Sequence, residues 1–515
     1  MRKYIRVGFL VAAAALFAAR AAHAQQTTGR IIGQVTDKDS NAPVASATVI
    51  VEGPQGQEAT LTDENGFYEF SNLVIGDYAV QFFAPAVMAP QAIQEKVDVS
   101  AGATRRVNGK VSVSTVAQER VVVTARAPRV DVGSARIGLT LDAEFARNVP
   151  TTGRTFGDYL TLTPGAFEER TGNISIAGAT GLENIFIVDG LNVTGLEYGD
   201  IMNRRPDASG GTNLNIEFIR EMQVNTGGYA AEYGGAMGGV VNVVTKEGSN
   251  EYHGTVFSVW QPYWMAGDPQ RNPALTTSIT GLNKPDYDTN IGFEVGGPII
   301  KNKLFFWAGF APRWEKSHFM REVNRFSDDN GDGVPDRDAN GEKLTFLGRN
   351  RINQMRKSWQ YGAKLTYLVA PEHKLTVGIF GTPTNTEAVR DNFFGTYASD
   401  PQWLLQGISK TNTDLTANWV SQLFDRRWRI EANLGMHMEK FDDKSPYADL
   451  NGRHQTEWNY HGLWDLEQYP GCEPTASGFD PCPAKGYKNR GYGVLKHYDA
   501  QRIAAEERIR EDTVN

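Results

Sequence analysis

Long apolar runs, cysteine and an excess of positive charge are all scarce in this sequence, and each scarcity excludes a class of protein. The 515 residues contain only 2 cysteines and carry a formal net charge of -8. So few cysteines exclude a disulfide-rich miniprotein and a zinc-cluster protein. The acidic balance argues against nucleic acid as a partner. After residue 24 no uninterrupted apolar stretch of about 18 residues occurs, which excludes transmembrane helices but not membrane-spanning strands.

Recognisable catalytic motifs are lacking as well. The 8 histidines are scattered and none falls in an HExxH spacing. No Gly-x-Ser-x-Gly nucleophile elbow or Cys-His arrangement stands out. The glycine cluster from Gly227 to Gly239 lacks the Gly-Lys-Ser/Thr ending of a phosphate loop, and no βαβ alternation surrounds it. We therefore expect no catalytic residues and no enzyme activity.

The first 24 residues have the pattern of a secretory signal peptide. A basic start precedes an alanine-rich apolar run from Val7 to Ala19, and a small-x-small motif ends at Ala24. Cleavage is expected between Ala24 and Gln25. The alternative, an N-terminal membrane anchor, fits less well because the apolar run is short for a bilayer. The pattern predicts export.

Residues 25–118 read as a small all-β domain. Short β-rich runs ("GRIIGQVTD", "ASATVIVEG", "GFYEF", "GDYAVQFFA") alternate with turn-forming segments rich in Gly, Pro, Asn and Asp. The spacing of about ten residues per strand predicts a β-sandwich.

Residues 119–130 form a linker that contains one strand-prone run, Val121, Val122 and Val123. Such a run can add to the edge of a partner sheet, because its backbone donors and acceptors are unpaired. On pattern alone, the alternative that it is the last strand of the preceding sandwich is favoured. Residues 131–250 then change to glycine-rich, mixed short elements.

Residues 251–515 contain long segments of alternating polarity. In "YDTNIGFEV" Ile291, Phe293 and Val295 share one face, and Asn290 and Glu294 lie on the other. "SWQYGAKLTYL", "KLTVGIF" and "RWRIEANLGMHM" repeat the alternation. A soluble half-buried sheet would produce the same pattern. The strand lengths, the aromatic residues near strand ends and the export signal favour an outer-membrane β-barrel.

Two family resemblances cover most of the chain. Residues 25–118, with "GRIIGQVTD…NAPVASATVIVEG" and "TLTDENGFYEFSNLVIGDYAVQF", resemble the carboxypeptidase-regulatory-like family, which has a transthyretin-like, carbohydrate-binding-like sandwich and is non-catalytic. "NVPTTGRTFGDYLTLTPGA", "IAGATGLENIFIVDGLNVTG" and "GGYAAEYGGAMGGVVNVVTKEGSNEYHGTVF" resemble the plug of TonB-dependent receptors of the Oar-like group.

The second resemblance implies a fold class, a location and partners. The fold would be mainly β: a sandwich, a mixed α/β plug over 131–250, and over 251–515 the N-terminal part of an antiparallel barrel of about 22 strands. It implies an outer-membrane protein that takes up an unidentified extracellular ligand (a carbohydrate, peptide or protein) with energy from the TonB complex. It also reverses the interpretation of the linker, whose TonB box would be Val121, Val122, Val123, Thr124 and Ala125.

The length of the last segment leads us to expect a fragment. It can supply about half of such a barrel, and the charged end "AAEERIREDTVN" lacks the aromatic terminal strand of the family. The main functional alternative is an Oar-like structural or adhesive surface protein, with carbohydrate binding by the sandwich.

Two minor sites complete the expectations. "SDDNGDGVPDRD" places Asp328, Asn330, Asp332, Val334 and Asp336 at positions 1, 3, 5, 7 and 9 of a calcium loop, but Ala339 stands where the bidentate glutamate belongs. A solvated acidic turn between two strands is the alternative, and no cofactor is required. Cys472 and Cys482 are expected to form a disulfide, rather than remain free thiols, in an oxidising compartment.

Overall fold

The structure is a computed structural model, and most of the residues that it describes lie in β-strands, as the sequence predicts. It describes residues 27–85, 87, 90–112, 121–123, 137–149, 151, 153–169, 173–196, 199, 201, 210–229, 233–267, 279–327, 329, 336–338, 341–370, 372–389, 405–424 and 428–444.

Residues 27–112 fold into two facing sheets, here called the sandwich. Its strands are β1 (Gly29–Asp37), β2 (Thr48–Gly53), β3 (Gly56–Leu61), β4 (Phe67–Leu73), β5 (Gly76–Phe83), β6 (Ala92–Val99), β7 (Thr104–Arg106) and β8 (Gly109–Val111). One sheet has the order β4-β1-β7, with β8 also paired to β1. The other has the order β3-β2-β5-β6, and a short strand β9 (Val121–Val123) pairs with β6 in parallel.

Alternation of apolar residues produces the core of the sandwich. Along β1, every second side chain is buried, and Ile31 and Val35 are inaccessible to solvent. Two buried tyrosines remain satisfied, because Tyr68 donates to the Val107 carbonyl at 2.5 Å and Tyr78 donates to the Val74 carbonyl at 3.0 Å. Burial raises the pKa of both phenols well above the usual value, so they stay neutral hydrogen-bond donors.

Residues 137–248 form a second unit, here called the inner domain. Its elements are β10 (Ile137–Asp142), α1 (Ala143–Asn148), α2 (Phe156–Tyr159), β11 (Ala166–Glu168), β12 (Ile174–Ile176), β13 (Ile185–Val188), β14 (Leu191–Asn192), β15 (Ile219–Gly227) and β16 (Val240–Thr245), with 3-10 turns at Leu160–Leu162, Gly181–Glu183 and Ile216–Phe218. The main sheet has the order β10-β15-β16-β13-β14, and β11 pairs with β12.

Capping side chains define where the short helices of the inner domain begin. The Asp142 carboxylate accepts from the backbone N–H of Phe145 at 2.8 Å and so starts α1. Thr155 and Asp158 form a reciprocal capping box at the start of α2, in which Asp158 accepts from the Thr155 backbone N–H at 2.9 Å.

Close packing explains one glycine in the predicted glycine-rich segment. A Cβ on Gly239 would lie 2.7 Å from the Cδ1 atom of Ile176, which is fully buried in the core of the inner domain. Any side chain there would push β12 away from β16. This supports a packing role for glycine in this segment.

Eight strands between residues 253 and 444 form a single sheet, here called the wall. Its strands are β17 (His253–Pro262), β18 (Ile279–Ile300), β19 (Leu304–Phe326), β22 (Leu344–Ala370), β23 (His373–Gly381), β24 (Thr384–Val389), β25 (Leu405–Leu423) and β26 (Trp428–Lys444). A 3-10 turn at Tyr263–Met265 follows β17, and a two-stranded ribbon of β20 (Arg337–Asp338) and β21 (Gly341–Glu342) lies between β19 and β22. All pairings in the wall are antiparallel, and the strand order is β17-β18-β19-β22-β23-β25. Strand β26 pairs with the other edge of β25. Strand β24 follows β23 along the chain and, like β23, lies between β22 and β25. In the described part of the chain, no helix is long and apolar enough to cross a membrane.

The two ends of the wall differ. At one end only a few residues separate β18 from β19, β22 from β23 and β25 from β26; we call this the turn end. At the other, the loop end, longer segments follow β17, β19 and β24. The sandwich lies at the turn end, where the Ser71 hydroxyl accepts from the Gln422 side chain at 3.0 Å.

The inner face of the wall is buried and largely polar, and the outer face is exposed and apolar. Leu434 on the outer face is 75% exposed, whereas Asp414 on the inner face is 0% exposed. Strand register places one outward row side by side across six strands: Val295, Ala308, Ala363, Ile379, Leu415 and Met436. The predicted alternation is confirmed, and its polarity is the reverse of a soluble half-buried sheet.

Candidate functional site

Ionised side chains concentrate where the inner domain meets the wall near the turn end. We call this set the Glu247 network; its members are Gln55, Asp189, Thr245, Lys246, Glu247, Glu294, Trp307, Lys364, Thr366 and Lys374. It joins the sandwich, the inner domain and the wall.

Glu247, just after β16, is the residue that touches all three units. Its carboxylate lies 3.8 Å from the Lys364 ammonium and 3.6 Å from the Lys374 ammonium, and accepts from the Gln55 amide at 3.1 Å. Burial opposes the charged form, but Lys374 and Lys364 outweigh it and hold the pKa of Glu247 below its ordinary 4.5. Glu247 is therefore ionised at neutral pH.

Lys364 also fixes the turn between β13 and β14. Its ammonium donates to the Asp189 carboxylate at 3.0 Å and to the Thr245 carbonyl at 3.1 Å. Thr245 in turn donates its backbone N–H to Asp189 at 3.0 Å and its hydroxyl at 2.5 Å. Asp189 has a φ of 48°, in the left-handed region, which a short polar side chain tolerates in a turn. The wall lysine thus secures this turn of the inner domain.

A second buried carboxylate, Glu294 on strand β18 of the wall, also has a lysine partner. Glu294 accepts from the Lys246 ammonium at 2.7 Å and from the Trp307 indole N–H at 2.7 Å. Removal of Lys246 would leave Glu294 without its cationic partner inside the protein, which is strongly unfavourable. These pairs hold the inner domain against the wall.

Strand β25 contacts another segment of the inner domain. The Asn412 amide donates to the carbonyls of Gly210 and Gly211, the latter at 2.9 Å. The neighbouring Asp414 accepts from the Thr212 hydroxyl and from the His437 ring. Backbone and side chain of this segment are therefore bound to the inner face of the wall.

Polar contacts dock the sandwich against the turn end. The Asn250 backbone N–H donates to the Pro54 carbonyl at 2.9 Å, and its side chain pairs with Asn302 in the β18–β19 turn. Together with the Ser71–Gln422 hydrogen bond, these contacts border a cavity of about 970 Å³ between sandwich and wall. These docking contacts are polar.

A third contact joins the sandwich to strand β15 of the inner domain. Glu221 accepts from the Ala101 backbone N–H at 3.1 Å, and Gln223 donates to the Ala101 carbonyl at 2.7 Å. Burial raises the pKa of Glu221, although hydrogen bonds from Gln223 and Ala101 oppose that rise. Both the backbone N–H and the backbone carbonyl of Ala101 are thereby bound to β15.

A polar cavity of about 370 Å³ lies toward the loop end, between inner domain and wall. Thr155 and Asp158 of the inner domain line one side, and Arg313 and Arg356 line the other. Arg313 is already paired, because it donates to both oxygens of Asp288 at 2.9 and 2.6 Å. The cavity can accept a polar group.

The predicted TonB box is only partly described. Val121–Val123 lie on the sandwich as β9, with Val121 opposite Ala92 and Val123 opposite Gln94. Thr124 and Ala125 lie outside the described residues. The placement matches the arrangement that the pattern alone favoured, and the role of these residues toward TonB stays a prediction.

The predicted calcium loop is described only at Asp336, since Asp328, Asn330, Asp332 and Val334 lie outside the described residues. The Asp336 carboxylate accepts from the Asp329 backbone N–H at 2.8 Å. In the part of the chain that the structure covers, no group of three or more His, Cys, Asp or Glu side chains is arranged to hold a metal ion. Calcium binding stays a prediction.

Three further predicted positions lie outside the described residues. They are the pair Cys472 and Cys482, with its proposed disulfide, and the cleavage position between Ala24 and Gln25. These stay predictions.

Sequence reasoning missed the Glu247 network as a site. It placed Glu294 and Lys364 on the polar faces of their strands but assigned them no role. The available signal was a charged residue on a face predicted to point into a barrel, where an unpaired charge is costly. Their partners Lys246 and Asp189 had no comparable signal.

Two family models match separate parts of the chain. Residues 30–114 match the carboxypeptidase regulatory-like domain, and residues 244–318 match an outer membrane beta barrel domain. The first match covers most of the sandwich, and the second covers the start of the wall.

Relatives with curated descriptions are similar over larger parts. The TonB-dependent transporter Oar of Myxococcus xanthus is 32% identical over 461 residues, which cover 84% of this chain and 42% of that protein. The probable TonB-dependent siderophore receptor PirA of Acinetobacter baumannii is 32% identical over 163 residues, covering 29% of this chain and 19% of that protein. The chain thus spans less than half the length of these relatives.

Among solved structures, the ferric enterobactin receptor PfeA of Pseudomonas aeruginosa, crystallised as a mutant in complex with enterobactin, is similar with a TM-score of 0.41 at 16% identity. The alignment covers 60% of this chain and 42% of that structure.

Proposed function

We propose that this chain, a homologue of the TonB-dependent transporter Oar, takes up an extracellular ligand at the outer membrane with energy delivered by TonB. The ligand is unidentified; a carbohydrate, a peptide or a protein would each fit a receptor whose specificity resides in loops at the outer surface. The proposal involves no covalent chemistry.

The reversed polarity of the wall carries the proposal. An apolar outer row and a buried, largely polar inner face suit a sheet with lipid on one side and an enclosed domain on the other. Strands β18, β19 and β22, of 22, 23 and 27 residues, exceed the 9–11 or so that a tilted strand needs to cross the hydrocarbon. They therefore extend beyond the membrane toward the loop end.

The orientation follows from the connections. Outer-membrane barrels place short turns in the periplasm and long loops outside the cell. The sandwich and Val121–Val123 would then face the periplasm, where TonB operates, and the loop-end cavity would face the medium.

In this proposal the inner domain acts as the plug. TonB would take residues 121–125 into its own sheet by strand addition, and force on that segment would shift the inner domain. A path could open only if the pairs of the Glu247 network separate, such as Lys364 with Asp189 and Lys246 with Glu294. The network would thus keep the path closed at rest.

Capture of TonB by the linker tests this proposal. Val122→Pro removes a backbone N–H that strand addition requires, whereas Val122→Thr keeps it and retains β-propensity. With a photo-crosslinking residue at Thr124 in the full chain, we expect about a tenfold lower yield of the TonB adduct for the proline variant than for the threonine variant.

Both variants should reach the outer membrane in equal amounts, because the linker lies outside the wall. Equal adduct yields from Val122→Pro and Val122→Thr would rule out the TonB-box assignment.

A further inference from the structure

We propose that the outer face of the wall holds a binding site for the phosphate groups of the glycolipid in the outer leaflet of the membrane. The site consists of Lys284, Lys316 and Lys357, here called the lysine row. The row lies beside the apolar band, on the side of the loop end. The inference goes beyond ligand uptake, and it takes from the proposed function only the orientation of the wall.

Strand register brings the three lysines together. Lys284 on β18 pairs with His318 on β19, so Lys316 is its diagonal neighbour. Lys316 in turn pairs with Met355 on β22, which makes Lys357 the next diagonal neighbour. Diagonal neighbours on one face of a sheet lie about 7–8 Å apart. The long side chains of the lysine row can therefore converge on one anionic group.

The lysine row is on the outer face of the wall. Glu315 and Arg356 line the polar cavity on the inner face, and they are the chain neighbours of Lys316 and Lys357. Since side chains alternate between the two faces along a strand, both lysines face outward. The third lysine shares their face, because residues that pair across antiparallel strands point to the same side.

Two tryptophans separate the lysine row from the apolar band. Trp314 and Trp359 lie two residues nearer the turn end than Lys316 and Lys357 on the same strands, and their ring centroids are 6.1 Å apart. Aromatic side chains form girdles at the boundary between the apolar band of a barrel and the aqueous side. The lysine row is therefore at the level of the lipid headgroups.

Cations outnumber carboxylates around the lysine row. Lys357 pairs with Glu387 at 3.1 Å, and no carboxylate among the described side chains pairs with Lys316. Further toward the loop end, Arg351 and Asp286 add one charge of each sign, 3.8 Å apart. The described side chains of this surface thus include the three lysines and one arginine against two carboxylates, in a chain whose net charge is -8. An external anion would balance the excess.

A lipid phosphate fits this surface by charge and by position. Lysine binds phosphate as a compact point charge. Basic clusters beside the apolar part of a membrane protein are typical of sites for anionic lipid headgroups. In the proposed orientation the loop end faces the medium, and the outer leaflet there consists largely of a phosphorylated glycolipid. The occupant of the lysine row is therefore this glycolipid, held by its phosphate groups.

Binding of purified lipids to the full chain in detergent tests the assignment. Native mass spectrometry compares diphosphorylated lipid A, the same lipid A without its phosphates, and phosphatidylglycerol, which has a single phosphate. For the wild type we expect lipid A to bind at least about tenfold more tightly than either of the other two. Added salt should weaken the binding of lipid A, because exposed charges are screened.

Two double variants locate the site. Lys316→Gln with Lys357→Gln should lower the affinity for lipid A at least about tenfold. Lys301→Gln with Lys303→Gln is the matched control, because it removes the same charge at the β18–β19 turn, and it should bind lipid A like the wild type. Without lipid, the first variant should resist urea at least as well as the wild type, since it relieves repulsion between like charges.

Three results would overturn the inference. Equal binding of lipid A with and without phosphates would show that the acyl chains hold the lipid. An equal loss of affinity in both double variants would show a general effect of charge. Binding of phosphatidylglycerol as tight as that of lipid A would assign the surface to any lipid phosphate. TonB takes no part in these assays, so their outcome leaves the proposed function untouched.

Discussion

At the scale of single residues, Glu247 shows how a charge can be stable inside this protein. Its side chain is only 17% exposed, and two lysines and two neutral donors surround it. Desolvation alone would favour the protonated form, but Lys374 and Lys364 reverse the balance and lower the pKa of Glu247. Each of these ionised side chains is stable inside the protein only because its oppositely charged partners are present.

The pH dependence of stability follows from this shift. Since the folded-state pKa of Glu247 lies below its ordinary 4.5, its contribution is fully present above that value and is lost as the pH falls through the lower, folded value. Glu247→Gln should lower the free energy of unfolding by about 2 kcal/mol at neutral pH. It should also make that free energy fall less steeply as the pH decreases. Urea unfolding of the full chain between about pH 3 and pH 7 measures both effects.

Glu251→Gln is the matched control for Glu247→Gln. Glu251 lies in the same segment but is exposed, and a surface substitution changes stability by less than about 0.5 kcal/mol. If Glu247→Gln loses stability toward acidic pH as steeply as the wild type, another carboxylate causes that loss.

At the scale of elements, each wall strand has two faces with different surroundings. On β23 and its continuation β24, Val377 and Ile379 point outward, whereas Lys374 and Thr384 point toward the interior. The outward row from Val295 to Met436 runs across the strands at one level because the antiparallel register aligns it. A band of this kind is the part of the strands that meets lipid.

A lysine in this band should be costly. Ile379→Lys places a charge on the outer face and should destabilise the folded protein in lipid vesicles by about 2–4 kcal/mol if the position lies near the bilayer midplane. Asn385→Lys, exposed on β24 beyond the band, should cost less than about 1 kcal/mol. Unfolding in urea, followed by tryptophan fluorescence, compares the two; equal costs would contradict the assignment of this row to lipid.

At the scale of the whole molecule, three units are joined by polar contacts near the turn end. Gln55 bridges sandwich and inner domain, donating to Glu247 at 3.1 Å and to the Gly248 carbonyl at 3.3 Å. Such contacts contribute modestly and exchange readily with water. The sandwich can therefore separate from the inner domain without loss of its own core.

Removal of one bridge should loosen the docking alone. For Gln55→Ala we expect faster amide exchange in the β2–β3 turn and in residues 246–250, with unchanged protection in β1 and β15, because the cores are untouched. Gln57→Ala, exposed on β3, is the control and should exchange like the wild type. Uniform deprotection of the sandwich by Gln55→Ala would show that Gln55 supports the fold itself.

The sequence predicted the strands and their faces well, because both depend on local pattern. The alternation around Ile291 and around Lys364 specifies a strand and a polar side without reference to the rest of the chain. The partners of those polar residues were not predictable in this way. Lys364 and Asp189 are 175 positions apart, and Ser71 and Gln422 are 351 apart.

What the sequence determined by itself was the mainly-β fold, the order of its parts and the two-faced character of the wall. These follow from periodicity and turn chemistry within windows of about ten residues. Only the tertiary structure decided which inward charges meet, that Glu247 joins three units, and that Val121–Val123 pair with β6. Such contacts depend on strand register and on how separately folded units dock, and neither is encoded in local alternation.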